Sequence, residues 1–546
     1  MRGCIVTGLA AVAHLLNLPD TGDQELMKIA STAKHWLDAN SGWLLVLDNV
    51  EDWGVIKEWL PSGRSGHVLI TTRLQSTGAV AQGINLQSLT AEDGVTFLLR
   101  RANLDEASDS ERSAAGEIAA EMGGLPLALE LAAAFIEQSQ VSLAEYLKVY
   151  KTSGASLRAR TSEGSDRGTL SGTFALAFDK LTWPAKEILQ TCAFLASDAI
   201  PEELLRHDDS SDLQFYEAIG ELARISLVSR HSALKTIDIH RLVQDVVKDG
   251  MSDSQRRLRA GQVVGSLESQ FPEAEFRNWP ICERLLPHAR AGIQLVREYG
   301  LDSTTSAQLM NRMANYLSAR AYYAEAEDLL RHALDIFETL LGPAATATAG
   351  ILNELAATLM IRGRHEEAEP LLARALAVYR ESLGDEHPQT ANSLNNLATL
   401  YFRLGRLSEA EPLFRQALAI EETALGPDHP TVARSLSSLA ALAAHTGRYD
   451  EAESLFRRAL AIREKALGPS HPDVAMVLSS LGFLYYKQSR YLDALPLYQR
   501  SLAINQQALG PDHPGTIQIA DNYVTLLRSL DREDDASVIE ARFRRK

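Results

Sequence analysis

The C-terminal half of the chain repeats its hydrophobic and polar positions with a fixed period. A Leu-Gly pair recurs every 42 residues, with its glycine at Gly342, Gly384, Gly426, Gly468 and Gly510. Between these glycines the apolar residues follow helical spacing in two successive stretches, as at Leu394, Leu397, Ala398, Tyr401 and Leu404. A fixed period of about 20–50 residues is typical of a solenoid in which each unit packs on its neighbours.

One unit shows how the two helices are delimited. His429-Pro430 places a proline in the first turn of helix A, where its missing N–H costs nothing. Gly405 turns the chain, and Ser408 with Glu411 predicts a capping box for helix B. Gly426 suits a left-handed cap at the end of helix B. The pattern predicts helical hairpins over 305–546, five good copies followed by a degenerate sixth.

The first third of the chain has a different pattern, in which short apolar runs alternate with helical stretches. The run Trp43–Leu47 ends in Asp48, His67–Thr71 leads into Thr72-Arg73, and Asn85–Leu89 forms a third candidate strand. Helices are predicted over 24–40 and 55–60, and after Thr90, which Asp93 would complete as a capping box. Strands alternating with helices at this spacing predict a parallel α/β sheet.

Two of these strand ends carry residues suited to a nucleotide. Ligands of open α/β sheets bind at the carboxyl ends of the strands. Asp48 offers the oxygen ligand that Mg²⁺ prefers, and Thr72-Arg73 offers a hydroxyl and a guanidinium to a phosphate. A third segment, Gly123-Gly124-Leu125-Pro126, opens an apolar helix in which Pro126 would stand in the first turn. Taken alone, that segment is more often an ordinary loop-to-helix junction, because Gly-Gly-Leu-Pro is common in turns.

The middle of the chain predicts a linker and a small α/β module. Residues 152–169 are rich in Ser, Gly and Arg, which favours a linker. Helices around Phe174–Leu181, Ala185–Ala193 and Ala218–Ile225 then precede a hairpin formed by Leu227–Arg230 and Thr236–His240. Three helices and a hairpin form a winged-helix pattern. We favour a packing role over DNA binding, because no basic recognition helix is evident.

Composition narrows the class of protein. The 546 residues carry a net charge of −17, which makes nucleic acid an unlikely partner. Three scattered cysteines do not predict a disulfide framework or a zinc site, and a reducing cytoplasm fits best. No apolar run reaches the length of roughly 20 residues that a membrane helix needs. Residues 4–16 after Arg2 also resemble a weak signal peptide, although a helix ending before Pro19 is the favoured interpretation.

Three motifs in order carry a family resemblance. LLVLDNVED, HVLITTR and GGLPLALEL resemble the Walker B, sensor-arginine and GLPL motifs of the NB-ARC class of STAND NTPases. The resemblance implies that Asp48 binds Mg²⁺, that Arg73 contacts the γ-phosphate and that Pro126 touches the adenine. Asn49 stands where the family commonly has a second acid, so at most a slow NTPase is implied.

Two further segments extend the resemblance along the chain. IDIHRLVQDVV resembles the MHD region of these switches, and His240 matches the histidine that faces the ADP phosphates there. Arg241 stands in the place of the usual aspartate. The 42-residue hairpins resemble tetratricopeptide repeats of the long kind found in kinesin light chains.

One expected motif is missing. The sequence contains no G-x-x-x-x-G-K-[ST] loop, whose amides and lysine hold nucleotide phosphates. Gly3 and Gly8 have the glycine spacing, but Leu9-Ala10 follow them. In the family this loop lies upstream of Walker B. We therefore expect that Met1 begins inside the domain, or that the nucleotide fold has degenerated.

The repeats offer candidate partner-binding residues. Amides on the first helix of related repeats grip peptide backbones, and the candidates here are Asn311, Asn353, Asn395, Asn396 and Asn522. A solvated helix face is the alternative for any one of them. The periodic histidines are interpreted as turn residues rather than zinc ligands, because stacked hairpins lie roughly 10 Å apart.

The sequence therefore predicts a multidomain, mostly α protein. The predicted parts are a partial nucleotide-binding α/β domain (1–90), a helical ARC-like subdomain (91–151), a linker (152–169), a winged-helix-like domain (170–250), a helical linker (251–304) and tetratricopeptide repeats (305–546). The predicted function is an ADP/ATP-gated, cytoplasmic signal-transduction switch whose repeats bind a protein or peptide and which forms homo-oligomers when activated. The alternatives are a repeat scaffold without nucleotide and, more weakly, a transcriptional regulator.

Overall fold

The computed structural model describes most of the chain. The described residues are 2–16, 18, 26–50, 56–57, 59–61, 66–72, 89–102, 104, 107–158, 178–206, 211–511 and 513–543. The chain divides into two compact units, one of residues 1–83 with 314–546 and one of residues 84–313. Each unit is considered by itself below.

The first unit begins with a helix pair and a strand pair. Helices α1 (Arg2–Leu15) and α2 (Leu26–Ala39) precede strands β1 (Leu44–Val50) and β2 (His67–Thr72). The strands are parallel, with Leu44 opposite His67 and Val50 opposite Thr72. Both strands and the helix ending before Pro19 agree with the predicted pattern. The third predicted strand (85–89, of which only Leu89 is described) and Arg73 lie outside the described residues. Of the predicted 55–60 helix, residues 56–57 are helical, 59–60 form a turn and a bend, and 55 and 58 lie outside the described residues.

The strand pair is apolar, but its side chains are not all covered. Leu44 is 64% exposed and Val46 52%, while Leu69 on β2 is 50% exposed. Leu45 of β1 belongs to the core formed with α1, α2 and Trp59, and Leu47 packs against it. The apolar composition of these two strands is typical of a sheet that is covered on both faces. In the structure, however, several of their side chains are exposed.

The second unit opens with four helices. They are α3 (Ala91–Arg101), α4 (Asp109–Glu121), α5 (Pro126–Ser139) and α6 (Leu143–Arg158). The predicted cap of α3 is present, since the Thr90 hydroxyl accepts from the Asp93 amide at 3.1 Å. The predicted start of the linker is wrong, because α6 continues from 152 to Arg158. Its last turns contain Ser153-Gly154, which favour a loop rather than a helix and so led to the predicted linker.

A small antiparallel sheet and three helices follow in the second unit. The helices are α7 (Trp183–Cys192), α8 (Asp212–Arg224) and α9 (Arg241–Asp249), and the strands are β3 (Ile200–Pro201), β4 (Val228–His231) and β5 (Thr236–Ile239). The predicted hairpin is present, with Val228 opposite Ile239 and His231 opposite Thr236. Strand β3 adds to the other edge of β5. Of the helix predicted around Phe174–Leu181, only residues 178–180 are described as helical.

Two long helices connect this module to the repeats. Helix α10 (Asp253–Gln270) has a complete capping box between Ser252 and Gln255. Helix α11 (Trp279–Tyr299) carries Pro287 and ends at Gly300, whose φ of 59° gives the left-handed cap. They lie where a helical linker over 251–304 was predicted.

The repeat region consists of six helical hairpins, numbered 1 to 6. Their helices are α12 (Thr304–Ala319) and α13 (Tyr323–Leu341), α14 (Thr346–Ile361) and α15 (His365–Leu383), α16 (Pro388–Arg403) and α17 (Leu407–Leu425), α18 (Pro430–His445) and α19 (Tyr449–Leu467), α20 (Pro472–Lys487) and α21 (Tyr491–Ala508), and α22 (Pro514–Ser529) and α23 (Glu533–Phe543). The predicted mostly α architecture with a C-terminal solenoid is confirmed.

The ends of the hairpin helices show which of the predicted helix-start and helix-end residues have the predicted role. His387, His429, His471 and His513 are N-caps of first helices, and the ring Nδ1 of each accepts a backbone N–H two residues on. Gly426, which follows a second helix, has a φ of +89°. The predicted Ser408–Glu411 capping box is wrong: the N-cap of α17 is Arg406, two residues earlier. Arg406 instead holds the Glu409 carboxylate with two hydrogen bonds of 2.7 Å.

Each hairpin buries its apolar stripe against the next. The alanines that recur every 42 residues in the second helices, Ala326, Ala368, Ala410, Ala452 and Ala494, are completely buried. One hydrophobic cluster runs from Val432 in hairpin 4 to Phe543 in hairpin 6. The array also curves back on itself, since His513 Nε2 lies 3.2 Å from the Ala319 carbonyl at the end of α12.

Candidate functional site

The first set of candidate nucleotide residues lies at the end of the parallel strand pair. Asp48 and Asn49 occupy β1, and Thr72 closes β2 beside Val50. The Thr72 hydroxyl donates to the Val50 carbonyl at 2.5 Å, so it secures the strand ends to one another. Arg73 lies outside the described residues. The backbone of Asp48, Asn49 and Thr72 thus lies toward the carboxyl end of the strand pair.

The second set begins at the turn before α5. Gly123 and Gly124 have φ values of +60° and +65°, a backbone that only glycine adopts readily. The Gly124 carbonyl accepts from the Leu89 amide at 2.9 Å. Pro126 is exposed at the first position of α5, where its ring pre-sets the helical φ. An exposed, rigid ring at a helix start is compatible with stacking on a flat base.

Polar contacts hold α5 in place within its unit. Glu130 of this helix accepts from Arg101 at 3.1 Å and from the Ser226 hydroxyl at 3.0 Å. Arg101 also pairs with Glu137, and its pKa is raised chiefly by its hydrogen bond to Glu130. The carboxylate of Glu130 therefore ties the Gly-Gly-Leu-Pro helix both to α3 and to the turn before β4.

His240 lies at the start of α9 and is exposed. Its Nδ1 accepts from the Leu242 amide at 3.2 Å, so the imidazole caps its own helix. Gln244, one turn further on, is buried and donates to the carbonyls of Cys192 and Leu195 at 2.8 and 3.0 Å. These bonds anchor α9 to the end of α7, and they fix the position of His240. Sequence reasoning did not identify Gln244.

The fit of a nucleotide to these residues is partial. The chain supplies a carboxylate for a hard cation, an exposed proline at a helix start and an exposed imidazole, all suited to parts of Mg·ATP or ADP. The sequence contains no G-x-x-x-x-G-K-[ST] loop to surround the phosphates. Asp48 and Thr72 belong to the first unit, whereas Gly124, Pro126 and His240 belong to the second.

The candidate asparagines of the repeats differ in exposure. Asn353 and Asn395 are each only 3% exposed. Asn353 donates to the Ser393 hydroxyl at 2.7 Å, and the Asn395 carbonyl accepts from Ser435 at 3.4 Å, so both amides join neighbouring hairpins. Asn311, Asn396 and Asn522 are half-buried, and the Asn522 carbonyl accepts from Gln518 at 3.4 Å. The half-buried three are better placed to reach a partner.

A ladder of ion pairs between hairpins was missed by the sequence reasoning. Arg364, Arg406, Arg448 and Arg490 each pair with a glutamate of the preceding hairpin, at 2.5 to 3.0 Å. The partners are Glu327, Glu369, Glu411 and Glu453. Both series have the 42-residue spacing, so the signal was present in the sequence. Only the structure pairs a residue of one repeat with a residue of the next.

The structure also buries two charged residues that the pattern does not single out. Glu421 and Arg463 take the position on the second helix that Phe337 and Tyr379 occupy in earlier hairpins. Glu421 is fully buried, and neither carboxylate oxygen has a hydrogen-bond partner within the described structure. Burial raises the pKa of Glu421 and lowers the pKa of Arg463, because each charge is removed from water.

Family comparisons match the C-terminal half and the middle of the chain. The family described as tetratricopeptide repeat matches residues 306–344 and four overlapping stretches, 347–423, 398–465, 431–495 and 473–540. A domain of unknown function (DUF7779) matches residues 176–256, which hold the small antiparallel sheet. Residues 306–540 therefore contain tetratricopeptide repeats, as predicted.

Comparisons with individual proteins cover more of the chain. A nucleotide-binding leucine-rich repeat (NLR)-like protein of Hyaloscypha variabilis is 29% identical over 371 residues, which are 61% of this chain and 37% of that protein. The chain thus spans little more than a third of that relative.

Two solved structures are similar to parts or all of the chain. The crystal structure of a STAND protein with a tetratricopeptide repeat sensor from Pyrococcus horikoshii is 14% identical, covers 99% of this chain and 81% of that one, and superposes with a TM-score of 0.56. The kinesin light chain nearly identical TPR-like repeats of Podosopora anserina are 27% identical over 36% of this chain and 93% of that one, with a TM-score of 0.30. The chain has the fold of a STAND protein with a tetratricopeptide repeat sensor.

Proposed function

We propose that this chain, which has the fold of a STAND protein with a repeat sensor, is a signal-transduction switch gated by ADP and ATP. The repeats bind a protein or peptide, and the bound nucleotide biases the chain between an inactive and an active arrangement. The observation that carries the proposal is the order of motifs, from Asp48 through Pro126 and His240 to the repeats.

Each part of the proposed nucleotide site has a separate task. Asp48 binds Mg²⁺, and Thr72 with Arg73 faces the phosphates. Gly124 and Pro126 hold the adenine end, and His240 faces the phosphates of ADP. ADP and ATP differ by one phosphate, and the proposed switch uses this difference in negative charge to favour the inactive or the active arrangement. Asn49 in place of a second acid favours a switch over a fast hydrolase. The active arrangement is proposed to form homo-oligomers in the cytoplasm.

Calorimetric titration of the full chain with ADP, and with ATP and Mg²⁺, tests the nucleotide arm. We expect saturable binding of both. Asp48→Asn should weaken Mg·ATP about tenfold, which corresponds to about 1.4 kcal/mol, and should leave Mg-free ADP nearly unchanged. Asp38→Asn, which removes a half-buried carboxylate of α2, serves as the matched control. Absence of binding at millimolar nucleotide would exclude the switch.

The missing phosphate loop motif favours a second candidate, a repeat scaffold that acts without nucleotide. In that case the repeats bind their partner with the same affinity at any nucleotide concentration. Measuring partner affinity with and without ADP separates the two functions, because a nucleotide switch requires different affinities in its two states.

A further inference from the structure

A cleft opens between the second helices of hairpins 1 and 2. It has a volume of about 630 Å³ and lies between α13 and α15, over the end of α14. Its floor consists of Leu334, Leu355, Leu359 and Leu371. A volume of this size is within the range of about 300–1,000 Å³ that is usual for ligand pockets.

The repeat period explains why this cleft is open. Leu359 takes the position that Tyr401 holds in hairpin 3 and Tyr485 in hairpin 5. The Tyr401 ring lies 3.9 Å from the guanidinium carbon of Arg406, and the Tyr485 ring lies 4.1 Å from that of Arg490. In those hairpins a tyrosine ring therefore fills the groove between successive second helices, stacked on an arginine. Leu359 is too short to do so.

The polar groups that hold a tyrosine in hairpin 5 are present around the empty cleft. Tyr485 donates its hydroxyl to Glu453 at 2.9 Å and accepts from Arg457 at 3.0 Å. The corresponding residues 126 positions earlier are Glu327 and Arg331, and Arg364 corresponds to Arg490. Arg364 lies 2.5 Å from Glu327, the same pairing that Arg490 makes with Glu453. The stacking cation, the acceptor and the donor are thus in place without a ring, although Glu327 also pairs with Arg362, where hairpin 5 has Gln488.

Hairpin 4 also lacks the tyrosine, but the arginine of its frame is held by two carboxylates. Ala443 stands at this position, and Arg415 there pairs closely with two carboxylates, Glu411 at 2.9 Å and Glu451 at 2.8 Å. At the cleft, Arg331 pairs with Glu327 but lies 3.6 Å from Glu367. Arg331 is therefore held less closely by the carboxylate on the other side of the cleft, Glu367, than Arg415 is by Glu451.

The rim of the cleft is acidic. Asp335 replaces an alanine that recurs at 377, 419, 461 and 503, so this carboxylate occurs in hairpin 1 alone among the first five hairpins. Glu338 is paired with Arg374 at 2.6 Å. Asp335 and Glu366 are exposed and have no ion pair within the described structure. Two unpaired carboxylates at the rim favour a cation beside the bound group.

We propose that the cleft between α13 and α15 binds an aromatic side chain of a partner protein, tyrosine above all, that is flanked by lysine or arginine. The ring occupies the place that Tyr401 and Tyr485 fill elsewhere, and the flanking cation faces Asp335 and Glu366. This site is formed mainly by the second helices and is distinct from the asparagines of the first helices. It requires no nucleotide, so it goes beyond the function proposed above.

The probes are three blocked tripeptides, acetyl-Arg-Tyr-Arg-amide, acetyl-Arg-Ala-Arg-amide and acetyl-Glu-Tyr-Glu-amide, tested on the full chain by saturation-transfer NMR and calorimetry. We expect the first to bind at least tenfold more tightly than the other two. Leu359→Tyr should fill the cleft from within and reduce that binding at least tenfold, while raising the thermal midpoint. Unchanged binding to a folded Leu359→Tyr variant would overturn the proposal.

A matched pair of charge variants keeps the test decisive even if Leu359→Tyr fails to fold. Glu366→Ala removes a rim carboxylate, whereas Asp450→Ala removes the exposed acid at the same position of hairpin 4. We expect a three- to tenfold loss of acetyl-Arg-Tyr-Arg-amide binding in the first and none in the second. Equal losses, or equal binding of all three peptides, would show a nonspecific charge effect and reject the site.

Discussion

The repeat array and the N-terminal strand pair are both rich in apolar residues, yet they bury them to different degrees. Leu436 in hairpin 4 is fully buried, whereas Leu44 in β1 is 64% exposed. A helical hairpin finds its apolar partner in the next copy of itself, 42 residues along the chain. A strand of a parallel sheet depends on strands and helices that are remote in sequence.

The comparison teaches that an apolar run predicts an element more reliably than it predicts burial. In the array the same positions recur, so each contact is guaranteed by the repeat. In the strand pair the run predicts β1 correctly, but the cover of its outer face depends on other parts of a sheet. The following predictions test this contrast, from the largest effect to the smallest.

Truncating a leucine should separate the two regions most strongly. Leu436→Ala leaves a cavity in the array and should lower the free energy of unfolding by about 2–5 kcal/mol, whereas Leu44→Ala should cost less than about 1 kcal/mol. Urea titration followed by far-ultraviolet circular dichroism measures both. All six tryptophans lie outside the array, at positions 36, 43, 53, 59, 183 and 279, so their fluorescence reports on the other part of the chain. Equal costs at the two leucines would contradict the contrast.

Glu421 is a place where the array departs from its own apolar pattern. Burial raises its pKa, so the folded state holds the proton more tightly than the unfolded state does, and stability falls as pH rises above the ordinary glutamate range. Glu421→Gln should therefore stabilise the array at pH 7 by about 1 kcal/mol, with a smaller gain at pH 4. Thermal midpoints at the two pH values measure this. The exposed Glu381→Gln serves as control, and a gain independent of pH would argue against the buried charge.

A second set of ion pairs joins hairpins 1 to 5 with one interruption, which can be filled. Arg374, Arg458 and Arg500 pair with Glu338, Glu422 and Glu464 of the preceding hairpins, at 2.6 to 2.7 Å. Between hairpins 2 and 3 the corresponding residues are Arg380 and Gln416.

The double variant Arg380→Glu with Gln416→Arg supplies the missing pair and should stabilise the array by about 0.5–1 kcal/mol relative to the sum of the single variants. Urea titration of all four proteins closes the cycle. A coupling energy of zero would mean that the other pairs are also without net effect.

The smallest expected effect concerns the contact between hairpins 1 and 6. Burial lowers the pKa of His513, so the unfolded state takes up a proton first, and the array loses stability as pH falls below about 6.5. His513→Asn keeps a capping side chain and should reduce this loss by less than about 1 kcal/mol. Thermal midpoints at pH 7.5 and 5.5 measure the change, with the exposed N-cap variant His429→Asn as control.

Much of the chain was predictable because its signals are local. The cap at Thr90, the prolines that start α5 and α18 and the glycines after the second helices all act within a few residues. The Ser408–Glu411 box failed because Arg406 takes over the helix start through a bidentate pair with Glu409. The linker boundary failed because α6 extends through residues that are individually poor helix formers.

The candidate sites divide in the same way. Asp48, Thr72, Pro126 and His240 were identified from motifs, and each lies at a strand end or helix start. Gln244 and the Arg–Glu ladder were missed, because each links residues that are far apart or belong to different repeats. The cleft beside Leu359 was missed for another reason: a leucine is unremarkable at a core position until the neighbouring repeats show a tyrosine there.

The sequence by itself determined the elements, the six hairpins and the family resemblance, because spacing, caps and repeats are properties of neighbouring residues. Which charged residues pair across hairpins, the burial of Glu421 and the open cleft above Leu359 became evident only from the tertiary structure. Those outcomes depend on side-chain volume and distance between separate helices. Periodicity specifies which residues face a neighbour, but packing specifies whether they reach it.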